Sequence, residues 1–120
     1  MKILYVENHA VFARQVTEQF LSKHEVTIVP SLSQARKILS EGTFDLALVD
    51  YDLDDGKGVE IIKEIRKKWP ALGIIGVSSH EEGNQAMLKE GASAVCSKMN
   101  FDKIETIIER LKPMRGLPNV

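Results

Sequence analysis

The chain has a single cysteine, Cys96, which excludes an internal disulfide framework and a cysteine-built zinc site. It also lacks a long hydrophobic run. The longest stretch free of polar residues, Trp69 to Val77, is nine residues and is broken by Pro70, Gly73 and Gly76. A spanning helix needs about 20 apolar residues, so no membrane segment is expected. No charge of one sign dominates: 16 Lys+Arg stand against 17 Asp+Glu, a formal net charge of -1. That argues against broad electrostatic attachment to nucleic acid. The start of the chain passes from Met1-Lys2 into a short apolar run interrupted by Glu7, the wrong pattern for a signal peptide, and a cytoplasmic location is expected. What is present is ordinary for one globular domain: 120 residues, 43% hydrophobic and 28% charged.

Apolar runs alternate with amphipathic stretches. Ile3-Leu4-Tyr5-Val6 reads as a buried strand, followed by a helical pattern through Phe12, Val16, Gln19 and Phe20. Val26 to Val29 is a second strand. Ser31 and Ser33 then offer N-caps for a helix with Leu32, Ala35, Ile38 and Leu39 on one face, closed by Gly42. Leu46 to Val49 is the third strand, ended by an acidic, glycine-bearing segment from Asp50 to Gly58. Val59, Ile62, Ile65 and Trp69 follow at helical spacing. Ile74 to Val77 is the fourth strand, Glu81 to Glu90 the fourth helix and Ala92 to Cys96 the fifth strand. The last helix carries Ile104, Ile107, Ile108 and Leu111 at i, i+3, i+4 and i+7. Strands without polar alternation, separated by helices, imply a parallel sheet covered on both faces. The expected fold is α/β, a doubly wound five-stranded sheet with five helices. Residues 1–112 read as the domain and 113–120, with Pro113, Gly116 and Pro118, as a tail or the start of a linker.

In doubly wound folds ligands bind outside the carboxyl ends of the strands. Just past those ends stand Glu7-Asn8, Asp50, Ser78-Ser79 and Lys98. A carboxylate such as Asp50 is a nucleophile able to carry an aspartyl phosphate. Oxygen donors suit Mg²⁺, a lysine neutralises a phosphoryl oxygen and a serine hydroxyl donates to another. The set suits phosphoryl transfer, in which catalysis is mostly positioning and charge stabilisation. Each piece has a plainer reading. The acids from Asp50 to Asp55 make a solvated loop, Glu7-Asn8 a turn, Ser78-Ser79 an N-cap, and His9 and His24 surface or turn residues.

The ordered series resembles the receiver domain of two-component response regulators, over nearly the whole chain. Val6-Glu7-Asn8-His9 resembles the family's acidic-pair turn and Phe44 to Asp50 its phospho-acceptor strand. Gly58, Val77-Ser78-Ser79 and Gly91-Ala92-Ser93 through Lys98 follow in order. The resemblance implies the flavodoxin-like strand order 2-1-3-4-5. It implies Asp50 as phospho-acceptor, Ser78 as switch hydroxyl and Lys98 as phosphate-contacting lysine. Mg²⁺ would be held by Glu7, Asn8, Asp50 and the backbone carbonyl of Asp52. A sensor histidine kinase or phosphotransfer protein would supply the phosphoryl group. A downstream effector or output domain would read the result on the fourth helix, fifth strand and fifth helix, with no membrane or nucleic-acid contact by the domain itself.

Three positions depart from that pattern. Asn8 stands where a second acid is usual, so weaker Mg²⁺ binding is expected. Met99 replaces a proline after Lys98, which leaves the Lys98-Met99 bond cis or trans. Val95 replaces an aromatic residue on the fifth strand, so a ring on that strand cannot relay the signal. Gly83 and Asn84 make the fourth helix a weak one, suited to a switch element. Two other functions compete: a phosphate-independent receiver-shaped interaction module, and a DxD-type phosphatase built on Asp50-Tyr51-Asp52. A flavodoxin relative would want a phosphate-cradling loop after the first strand, and Glu7-Asn8-His9 is the wrong chemistry for one.

Overall fold

The apolar runs form strands because each buries alternate side chains on opposite faces of one sheet. The structure is a computed structural model that describes residues 1–116, with the side chains of 1–111. In chain order its elements are β1 (Lys2–Val6), α1 (Ala10–Phe20), β2 (Glu25–Val29), α2 (Leu32–Glu41) and β3 (Leu46–Asp50). Then come α3 (Gly58–Lys68), β4 (Gly73–Ser78), α4 (Glu81–Glu90), β5 (Ala94–Ser97) and α5 (Ile104–Gly116). All five strands pair in parallel in the order β2-β1-β3-β4-β5. This is the expected doubly wound arrangement.

Ile3, Tyr5, Leu46, Leu48, Ile75 and Val77 pack beneath α1 and α5, against Ala13, Val16, Ile104 and Ile108. On the other face Leu4, Val6, Ala47, Val49 and Ile74 meet α2, α3 and α4 through Leu32, Ala35, Leu39, Ile61, Ile62, Ile65 and Met87. With both faces covered, strands need no polar alternation. The chain passes from β1 to β2 on one side and then to β3 on the other. Between β1 and β3 the winding reverses, and the carboxyl ends splay into a crevice.

Local chemistry sets the boundaries, in places away from the expected ones. Ser31 caps α2 by accepting the Gln34 N–H at 3.2 Å, while Ser33 lies inside the helix. Gly42 closes α2 in an extended conformation, φ -150°, which any residue adopts. β5 begins at Ala94, after Ala92 has closed the preceding helix and Ser93 has made a first hydrogen bond to β4. The Ala92 N–H closes α4 on the Met87 carbonyl at 3.0 Å, and the Ser93 N–H donates to the Ile74 carbonyl at 2.7 Å. Gly91, at φ +119°, makes the left-handed turn that ends α4.

The acidic segment is not a featureless loop. Asp52–Leu53 pairs antiparallel with Gly56–Lys57. A 3₁₀ segment, Lys98–Lys103, joins β5 to α5. The backbone of α5 runs on to Gly116, so the tail expected from Pro113 begins within that helix, and its last residues, 117–120, lie outside the described ones. His24, read as a surface or turn residue, lies in the turn between α1 and β2, half-buried: it sits 3.2 Å from the Met1 amino group and hydrogen-bonds Glu105 of α5. No helix among the described residues is long and apolar enough to cross a membrane.

Candidate functional site

β1 continues one hydrogen bond past its end, from the Glu7 N–H to the Val29 carbonyl at 2.9 Å. This holds Glu7 in line with the strand and turns its side chain inward, where it is 0% exposed. Asp50 ends β3, the next strand, and is also buried. Lys98, just past β5, reaches between them, with Nζ 2.7 Å from Glu7 Oε1 and 3.3 Å from Asp50 Oδ1. The same ammonium sits 5.2 Å above the Phe12 ring of α1, a cation–π contact that holds its stem over the crevice.

Two buried carboxylates therefore share one half-buried ammonium, and the pocket carries surplus negative charge. Burial, and then the neighbouring Glu7 charge, push the Asp50 carboxyl up to about 7, with Lys98 pulling it the other way. His9 is exposed and lies against the outer oxygen of Glu7, its N–H 3.2 Å and its Nδ1 3.3 Å from Oε2. Oxygen or nitrogen atoms of Glu7, His9 and Asp50 lie within 4.8 Å of one another.

The other predicted site residues are arranged around this centre. Ser78 is buried at the end of β4, one step beyond Val77, the register partner of Asp50. Its Oγ accepts the His80 backbone N–H at 3.1 Å. It is not the N-cap of α4: that residue is His80, which makes no side-chain cap bond. Asn8 donates from Nδ2 to Asp54 Oδ1 at 3.0 Å, and its Oδ1 is buried with no hydrogen-bond partner. Asp52 is exposed and its side chain pairs with Lys57. Val95 lies on β5. Met99 is 83% exposed, and the Lys98-Met99 bond is trans, since the described residues hold no cis peptide.

Gly58, the first residue of α3, explains why the helix can start so near the site. A β-carbon there would stand 2.1 Å from the Asp50 carbonyl oxygen, so only glycine lets α3 back onto the strand end.

Sequence reasoning missed three members of this neighbourhood. Tyr5 is fully buried under the site, its ring 6.0 Å from and stacked on Phe101, its hydroxyl without a partner. Burial, then Glu7 and Asp50, hold that phenol well above its ordinary range. An aromatic residue in an otherwise aliphatic strand was the available signal. Asp54 was missed as the partner of Asn8, and Asp55 as a cap. Asp55 accepts the Leu32 and Ser33 N–H groups at 2.8 and 3.1 Å, and these bonds hold its carboxyl below the usual range.

Comparison with known proteins agrees with this geometry. The family model described as the response regulator receiver domain matches residues 3–112. The chain belongs to the response regulator receiver domain family. The structure of a CheY-like receiver domain protein from Methanospirillum hungatei JF-1 superposes with a TM-score of 0.81 at 26% identity, over 92% of this chain and 93% of that one. The response regulator TrrA from Thermotoga maritima, solved in complex with Mg²⁺-BeF, superposes at 0.83 with 23% identity, over 92% and 97%. Among curated proteins, the two-component response regulator PhoP of Pseudomonas aeruginosa is 27% identical over 92% of this chain. The regulatory protein VirG of Rhizobium rhizogenes is 30% identical over 82%. The chain spans only about half of those two relatives, 51% and 42%. As a receiver domain it is a signal-transduction element of two-component systems, from a family that binds Mg²⁺ at an acidic site.

A cavity of about 330 Å³ has no part in this edge. It opens at the other end of the sheet, between the end of α2 and the α3–β4 loop, where Phe44 and Trp69 line it.

Proposed function

We propose that this receiver domain accepts a phosphoryl group on Asp50 from a phosphohistidine and passes the change to a partner-binding face. The observation that carries the reading is the pair of buried carboxylates, Glu7 and Asp50, converging on the single ammonium of Lys98. A pocket with two negative charges and one positive is built for a cation and for a reacting group that brings its own charge.

The oxygen donors fit Mg²⁺. Glu7 and Asp50 supply carboxylates, and the buried, unpartnered Oδ1 of Asn8 is the kind of orphaned acceptor that a hard cation satisfies. With its side chain on Lys57, Asp52 has its backbone carbonyl to offer. Bound there, Mg²⁺ would neutralise phosphoryl oxygens. The residues' own work is as follows. The Asp50 carboxylate attacks phosphorus as the P–N bond to the donor imidazole breaks, and the imidazole leaves with the bonding pair. Lys98 is drawn to the new phosphoryl oxygens and the Ser78 hydroxyl donates to another. The shifted loops alter the surface of α4, β5 and α5. The phosphoryl donor would be a sensor histidine kinase or phosphotransfer protein, and the reader an effector or output domain. Residues 1–112 would make the switch, with no turnover of a substrate. The chain would work in the cytoplasm.

The test is intact mass after incubation with acetyl phosphate, with and without Mg²⁺. A Mg²⁺-dependent gain of one phosphoryl group, absent in Asp50→Asn, is expected. No gain, together with no Mg²⁺ binding, would favour a phosphate-independent interaction module. Asn8, Met99 and Val95 are the observations on that side. Turnover of a generic phosphate ester would instead revive a DxD-type phosphatase.

A further inference from the structure

The start of α4 is built against one hydroxyl and one ring. A β-carbon on Gly83 would come within 2.8 Å of Ser78 Oγ and 2.9 Å of Tyr51 Cγ. Helix, hydroxyl and ring thus meet in one close-packed spot that glycine alone leaves open. Polar contacts join the same elements. The His80 N–H donates to Ser78 Oγ at 3.1 Å, and Asn84 Nδ2 donates to the Ser78 backbone carbonyl at 3.4 Å. His80 adds no side-chain cap, and Asn84 Oδ1 is buried without a partner. The first turn of α4 therefore rests on Ser78 through hydrogen bonds and on Tyr51 through packing.

Tyr51 is also the residue after Asp50. Its carbonyl accepts the Gly58 N–H at 2.7 Å, which ties its backbone to the start of α3. Its ring packs against the core beneath α2, α3 and α4, with Lys57 Nζ 5.1 Å from the ring centre. β5, by contrast, offers no ring at all: its residues are Ala94, Val95, Cys96 and Ser97.

We propose that Tyr51 is the positioning residue that carries the state of Ser78 into α4. The inference rests on Asp50 being the phospho-acceptor and adds the route by which its state is read. When the Ser78 hydroxyl turns toward a phosphoryl group, the His80 N–H loses its acceptor and space opens beside Gly83. The Tyr51 ring already borders that space and follows into it, and the first turn of α4 resettles on the moved ring. Close-packed interiors change in such discrete repackings rather than by continuous deformation.

The test uses the full chain, ¹⁵N-labelled and titrated with Mg²⁺ and beryllofluoride as the phosphoryl mimic. Amide shifts of Gly83, Asn84 and Met87 are followed in wild type, Tyr51→Phe, Tyr51→Leu and Tyr51→Ala. Acetyl phosphate uptake is read by intact mass on the same proteins. Tyr51→Phe should respond as wild type. Tyr51→Ala should still take up phosphate, with α4 shifts reduced roughly fivefold or more. Tyr51→Leu, which keeps apolar bulk but no ring, should show the same loss and serves if the alanine variant is unfolded. Undiminished α4 shifts in the leucine and alanine variants would overturn the proposal. So would loss of phosphate uptake along with the shifts, which would put Tyr51 in the acceptor machinery instead. A wild-type chain with neither uptake nor shifts would overturn the underlying reading, and the relay with it.

Discussion

Glu7 and Asp50 on one side, and Asp52, Asp54 and Asp55 on the other, are near neighbours held under opposite conditions. The first two are buried and share one lysine, so their charge is only partly answered. The other three are exposed, and each has a donor. Asp52 pairs with Lys57, Asp54 accepts from Asn8, and Asp55 accepts from two backbone N–H groups at the start of α2. A dense run of acids is therefore a poor guide to a reactive centre. Burial with too few counter-charges makes the reactive pair, and exposure with matched donors makes the scaffold around it.

Replacing a member of each group should separate the two conditions. The largest effect is expected from Asp50→Asn. The Asp50 carboxyl is raised from its ordinary 3.8 to about 7, mainly by burial. A carboxyl raised on folding binds its proton more tightly in the folded state, so its contribution to stability falls as pH rises through that window. The asparagine should then add roughly 2 kcal/mol at pH 8 and almost nothing near pH 4. Urea denaturation at both pH values measures this. A loss of stability at pH 8 would group Asp50 with the satisfied acids. The same titration predicts that acetyl phosphate uptake rises with pH through about 7, as the nucleophilic carboxylate is freed.

Next in size, Asn8→Asp adds a charge to the buried side and should tighten Mg²⁺ binding by roughly tenfold. Calorimetry reads this directly, and an unchanged affinity would remove Asn8 from the metal set. The new carboxylate would also face Asp54 without the Nδ2 donor, so adding Asp54→Asn should tighten binding further. On the exposed side, Asp55→Ala removes acceptors from the start of α2 and should lower the melting temperature by about a few degrees. Asp52→Ala breaks only an exposed pair and should leave the melting curve where it is. A large loss there would undo the contrast between the groups.

The strands were legible because burial on both faces writes unbroken apolar runs, their order came only with the family resemblance, and the convergence of Glu7, Asp50 and Lys98 followed from where those runs stop. Other features left no local trace. Asp54 and Asn8 are 46 residues apart in the chain, and Asp55 caps a helix 23 residues before it. Such pairings depend on how two loops meet, which periodicity does not encode. The short pairing of Asp52–Leu53 with Gly56–Lys57 was hidden because it carries almost no apolar side chains. The turn at His24 was foreseeable, but its partner was not, because Glu105 lies far along the chain. Tyr51, inside the recognised segment, passed unremarked because its significance lies in the approach of Gly83, a residue with no side chain to notice.

Trp69 is the only tryptophan of the chain, and it lines the cavity at the end of the sheet away from Asp50. Intrinsic fluorescence excited at the indole band is consequently an honest reporter of unfolding and a blind one for the switch. Emission should hold steady while Mg²⁺ or a phosphoryl mimic loads the opposite edge. A spectroscopic assay of signalling in this protein needs a reporter moved to the other pole of the sheet, where Tyr51 already stands.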